Sequence, residues 1–198
     1  MIKELLYVLA TIIASCLVMI LHEIPKTMMY KKQKGKKIRN LKVMQYIDPI
    51  GLIFSVIGFC GFSKPYMYHI RDKKTNRIVG YTGMISLLVI FVVSLLICKV
   101  IFIPNLKVYE ETQVLGKMLH FIFWVVQYMS VVSLGMFFTN LFPILPFNMG
   151  NLIAGYSTEK MVAIMRNDYL IKMIFFIVMI LGIIKVVSVN TFLFLYNL

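Results

Sequence analysis

Acidic residues are scarce in this sequence: 8 Asp and Glu stand against 21 Lys and Arg, a formal net charge of +13. Charge of either sign is thin as well, at 15% of residues, where ordinary soluble domains carry roughly a quarter. With 60% hydrophobic residues, that scarcity excludes a soluble globular enzyme. It also excludes a disordered chain, which needs low hydrophobicity. Cysteine is sparse too. Cys16, Cys60 and Cys98 sit in apolar stretches with no CxxC pair and no even framework, and read as buried small hydrophobes. There is no Gly/Ser linker, no phosphate loop and no Gly-x-Ser-x-Gly elbow, which argues against nucleotide and serine-hydrolase chemistry. No internal repeat is visible, which argues against an inverted-repeat transporter.

What the sequence has is long apolar runs. They cover residues 5–21, 47–62, 81–103, 118–142 and 169–187, the last with an apolar tail to Leu198. A helix needs about 20 apolar residues to cross the hydrocarbon of a bilayer, so four to five transmembrane helices are expected. The chain reads as one all-α membrane-embedded domain over 1–198, with a core of about 5–150 and a C-terminal span at about 169–198. The first run has no small-x-small cleavage site before His22, so it is expected to be a retained span rather than a signal peptide. In a soluble protein the basic excess would suggest nucleic acid. Beside spans it reads as loop charge facing anionic lipid, and no nucleic-acid partner is expected.

The basic residues crowd into two loops on either side of the short 47–62 run. One holds Lys31, Lys32, Lys34, Lys36, Lys37 and Arg39; the other holds Lys64, Arg71, Lys73, Lys74 and Arg77. The positive-inside rule wants both in the cytoplasm. That requires 47–62 to enter and return, or to lie along the interface, rather than span; a short re-entrant or β-like segment is expected there, and a true span would leave one basic loop outside. The re-entrant arrangement puts the N-terminus outside and places His22 and Asn148 near the cytoplasmic face.

Two polar groups of residues then share that face. One is Leu21-His-Glu-Ile-Pro-Lys26, ending the first apolar run, and the other is Asn140-Leu-Phe-Pro-Ile-Leu-Pro-Phe-Asn-Met-Gly150, ending the fourth. His-Glu at a helix end is part of His-Glu-x-x-His, in which two His one turn apart bind zinc and the Glu serves as general base. Here the fourth position is Lys26, whose ammonium has no lone pair for a metal. Pro25 lies inside the motif and removes a helix hydrogen bond. His120 begins the fourth run at the opposite face and is excluded from the site.

Four motifs occur in one order: His22-Glu23, Ile47-Asp-Pro-Ile-Gly51, Gly61-Phe-Ser-Lys-Pro65, and the Asn140–Asn148 segment. Together they resemble the site-2 protease family of intramembrane zinc metalloproteases, in its small bacterial form, over about residues 22–150. The resemblance implies a helical membrane fold in a bacterial cytoplasmic membrane. It aligns His22 with the first zinc ligand, Glu23 with the general base, and Asn140, Pro143 and Pro146 with the segment carrying the third ligand. Asp48 and Pro49 fall in a structural motif. Lys26 stands where the family has its second His, Asn148 where it has an Asp, and Met149 where it has a Gly. Thr82-Gly83-Met84 corresponds to an Ala-Gly-Pro segment without its Pro, and Tyr46 to a His.

Two of three ligands are therefore replaced, and neither an ammonium nor an amide is a good zinc ligand. Glu23 and Lys26 are three positions apart on one helix face and can pair. The resulting expectation is a catalytically inactive pseudoprotease with no cofactor, binding a transmembrane segment or a partner membrane protein. Anionic headgroups are expected at the basic loop. The alternative is an active protease with unusual ligands, zinc held by His22 and His69 and Glu23 as base. A small transporter or transporter accessory subunit is the third reading.

Overall fold

The computed structural model describes residues 2–35, 43–65, 72–102 and 113–197. Among these every regular element is helical. Helix α1 covers Ile2–Gln33, a 3-10 turn covers Val43–Tyr46, and α2 covers Pro49–Gly58. Helix α3 covers Lys73–Ile97 and closes in a π turn, Cys98–Phe102. Helix α4 covers Gln113–Thr139. Four shorter helices follow: α5 Asn148–Tyr156, α6 Thr158–Arg166, α7 Asp168–Ile180 and α8 Ile183–Asn197.

Three helices, α1, α3 and α4, are long and apolar enough to cross a membrane; α7 and α8 make a fourth if the bent pair is one span. The expected range of four to five is met at most at its lower end. The last apolar run is not one helix, because Leu181 ends α7 and Gly182 takes φ +68. The chain then turns by 55° into α8. The β-like alternative for 47–62 gives way to α2, whose ten residues span ~15 Å, half a hydrocarbon core.

The two ends of the α2 excursion return to the same end of the bundle. Lys34, just past α1, lies 3.8 Å from Asp72, just before α3. Local sequence dictates both starts. Asp48 caps α2 by accepting from the Gly51 amide at 2.9 Å, with Pro49 at the first helical position, where a missing N–H costs nothing. Asp72 caps α3 by accepting from the amides of Lys74 and Thr75. The Thr75 hydroxyl, these amides and Lys34 hold the Asp72 carboxyl below the usual carboxylate range.

Helix α1 does not stop at Leu21. It runs through Pro25 to Gln33, because Lys26, Thr27, Tyr30 and Lys31 are buried against the rest of the protein. His22 is thus eleven residues (22 to 33) from the helix end, ~17 Å at the α-helical rise. It is buried inside the bundle, and the helix continues well past the end of the apolar run.

The core joins α1, α3 and α4 through Val18, Met19, Leu87, Val132 and Met136. Ala10 and Ala14, both fully buried, bring α1 against Val125 of α4. The outer surface is apolar as well, with Ile85, Val89, Val92 and Leu96 exposed along α3. In such a surrounding, burial alone distinguishes inside from outside weakly, and small residues and interhelical hydrogen bonds hold helices together. The 2.7 Å bond from Ser130 to Ser94 joins α4 to α3 in this way.

Beyond α2 the chain returns along α4. Phe59 adopts φ 53, ends α2, and aims its carbonyl at Gly135. A methyl group at Gly135 would strike that backbone oxygen, which has no rotamer to escape into. In an open helix, Gly→Ala stabilises by ~0.5–1 kcal/mol; overpacking here costs ~1–3 kcal/mol instead. Gly135→Ala is therefore expected to lower the thermal unfolding midpoint in detergent. A raised midpoint would contradict this close approach.

Candidate functional site

Three segments meet around His22. Helix α1 supplies His22, Glu23 and Lys26, each 1% exposed. The return from α2 supplies Ser63, and the start of α5 supplies the fully buried Asn148. Helix α3 passes behind them, its Ser86 hydroxyl 3.5 Å from the His22 carbonyl. Gly83 of α3 faces the Asn148 side chain so closely that a methyl there would land on the amide. A glycine at this position is what lets α5 bring Asn148 up to α1.

The side chains form one directed chain of hydrogen bonds. The Asn148 amide nitrogen lies 3.1 Å from His22 Nε2. An amide nitrogen only donates, so Nε2 accepts and the ring proton is on Nδ1. Nδ1 then donates to Ser63 Oγ at 2.9 Å. Ser63 in turn donates to Glu23 Oε1 at 2.8 Å, which also accepts from Lys26 Nζ at 2.6 Å. His22 is neutral in this arrangement, and the Glu23–Lys26 pair balances its own charge. Asn148 Oδ1, turned toward Gly83, has no hydrogen-bond partner among the described residues.

Asn140 organises the second wall. Its side-chain amide donates to the Met136 carbonyl at 2.9 Å, and its Oδ1 accepts from the Asn148 backbone amide at 3.2 Å. Its carbonyl accepts from the Met149 amide at 3.1 Å. Asn140 thus ties the end of α4 to the start of α5 across the Pro143–Pro146 turn. The Pro146 carbonyl accepts from Asn151 at 3.0 Å. Pro146 reaches the cleft beside Glu23, Lys26, Ser63 and Asn140, with Phe62 and Phe147 at its edge. The cleft has about 10 Å³ of room, the space of one water molecule.

Of the residues singled out in the sequence, His22, Glu23, Lys26, Asn140, Asn148 and Pro146 converge. Pro143 sits in the same turn without lining the cleft. Asp48 and Pro49 start α2 and serve the fold. His69 lies outside the described residues. Ser63 is the member that sequence reasoning missed: it was quoted inside Gly61-Phe-Ser-Lys-Pro65 but given no role. Nothing local marks it, since its two partners are 40 and 41 positions away.

Among the described residues the site offers few groups for a metal. Among the described residues, the side chains of a type that can hold a metal at this site are His22 and Glu23, and no three His, Cys, Asp or Glu converge. The His22 Nε2 lone pair is taken by Asn148, and Glu23 Oε1 is engaged by Ser63 and Lys26. Comparison with family models, with curated proteins and with solved structures gives no match.

A buried ion pair breaks asymmetrically. Removing one partner leaves the other charge uncompensated and costs ~3–5 kcal/mol, whereas replacing both costs far less. Lys26→Met is expected to destabilise by that amount in detergent denaturation. Glu23→Gln combined with Lys26→Met is expected to recover most of the loss. Equal stability of Lys26→Met and the unaltered protein would contradict the pairing.

Proposed function

We propose that this chain is a zinc-free relative of the site-2 proteases. In this reading it is a multi-pass membrane protein that engages a transmembrane segment or partner membrane protein at the former catalytic cleft without cutting it. The observation that carries the reading is the 3.1 Å contact of Asn148 Nδ2 with His22 Nε2. The family resemblance aligns these two positions with metal ligands on separate segments, and the fold brings them together. They meet through a hydrogen bond in which the imidazole lone pair is already used. Lys26, aligned with the remaining ligand, turns its ammonium onto Glu23 instead.

Glu23 in such a site has no activated water to serve. Its carboxylate is instead neutralised by Lys26 and oriented by Ser63, which makes a carboxylate tolerable at membrane depth. What remains for a partner is a narrow polar cleft edged by Phe62, Pro146 and Phe147. It opens in a bundle whose outer helices present apolar side chains. A transmembrane partner fits the apolar outer surface beside this cleft, where helix packing and interhelical contacts hold helices together.

The test is to rebuild the metal site. Lys26→His with Asn148→Asp supplies an imidazole and a carboxylate at the two replaced positions. The purified, folded double variant is expected to carry close to one zinc per chain by elemental analysis. A folded double variant that stays metal-free would contradict the shared geometry on which the reading rests.

A further inference from the structure

Depth in the bundle can be followed from contacts along α3. Its N-terminal end lies beside Lys34, just past the end of α1. Its middle lies beside His22. Its far end is tied to the end of α8, where Lys99 Nζ donates to the Leu195 carbonyl at 3.1 Å. Helix α5 leaves the site at Asn148, beside Gly83, and reaches Tyr156. There the Tyr156 hydroxyl is 2.8 Å from that of Tyr81, and the Arg77 guanidinium lies 5.3 Å from its ring. Tyr156 is therefore level with the basic start of α3. Helix α7 then descends, and α8 continues to the opposite end.

Helix α6 is the piece between these ascending and descending arms; Met161 and Ile164 are half-buried, and Val162, Met165 and its charged residues are exposed. None of its nine residues is buried, and it is ~14 Å long. Ser157 starts it by accepting from the Lys160 amide at 3.3 Å. Helical spacing puts Met161, Val162, Ile164 and Met165 on one face, and Glu159, Lys160 and Arg166 on the other. Val162 and Met165 are 61% and 57% exposed. An apolar stripe on a short helix with cationic flanks fits the boundary between headgroups and acyl chains. The neighbouring surface carries the same sign, with Lys73, Lys74 and Arg77 exposed at the start of α3. One residue beyond α6 the chain enters α7, whose exposed Leu170, Met173 and Ile174 continue the apolar surface.

We propose that α6 is an interfacial anchor. Its Met161–Met165 face lies in the acyl boundary of the bilayer, and Lys160 and Arg166 take anionic phospholipid headgroups together with Lys73, Lys74 and Arg77. This surface is separate from the basic loop after α1. It does not depend on whether the His22 site binds metal or a partner. Through Ser157 it fixes the outer end of α5, the helix whose inner end presents Asn148.

Site-directed spin labels on the full chain test the placement. A Cys16→Ala background leaves Cys60 and Cys98, both fully buried, out of reach of the label. Labels at Val162→Cys, Met165→Cys and Glu159→Cys are compared in nanodiscs of phosphatidylcholine, with and without phosphatidylglycerol. Expected is oxygen contact without nickel-chelate contact at 162 and 165, and the reverse at 159. Phosphatidylglycerol is expected to deepen the 162 label, and Lys160→Gln with Arg166→Gln to abolish that shift. Nickel-chelate contact at all three positions would overturn the anchor. So would shielding of all three from both reagents, which would mean a protein partner or a second copy. A 162 label indifferent to phosphatidylglycerol would overturn the headgroup assignment.

Discussion

Glu23 is a carboxylate held inside a helix bundle at 1% exposure, and the shape of the site follows from keeping it there. A buried charge requires a counter-charge and filled hydrogen-bond positions. Lys26, one turn along the same helix, supplies the first, and Ser63 supplies a second hydrogen bond. Ser63 is available because the return from α2 is pressed against α4 at Gly135. His22 then donates a hydrogen bond from Nδ1 to Ser63 and leaves Nε2 to accept from Asn148. Asn148 can reach it because Asn140 pins the start of α5 and Gly83 clears the space. Long-range packing and local charge balance are thus two sides of one arrangement.

Under the proposed reading, Lys26 and Asn148 are mutually consistent replacements. A zinc ion would supply positive charge to the site; Lys26 supplies one instead. A ligating carboxylate would add negative charge; Asn148 adds none and donates a hydrogen bond to the imidazole. A site holding Lys26 but an Asp at position 148 would carry a second buried carboxylate to compensate. The two departures therefore belong together, and Ser63 completes the network that joins the three segments.

Much of the architecture was legible in the apolar runs, which mark α1, α3 and α4. Boundaries were not. Hydropathy ended the first helix at Leu21, but Lys26 and Lys31 are buried by their surroundings, and no window of local sequence records that. The break at Gly182 in the last run was also passed over, because the residues on both sides are equally apolar. At the site, His22, Glu23, Lys26, Asn140 and Asn148 were visible as residue types in a recognisable order. Ser63 was not, because a single serine in a loop gains its role only when distant helices bring it to His22 and Glu23.

The most direct measurement is zinc per chain in protein purified in detergent without chelator, with His22→Ala beside it. If hydrogen bonds have taken the place of the metal, both proteins hold far less than one zinc per chain. Near-stoichiometric zinc in the unaltered protein, lost in His22→Ala, would contradict the account.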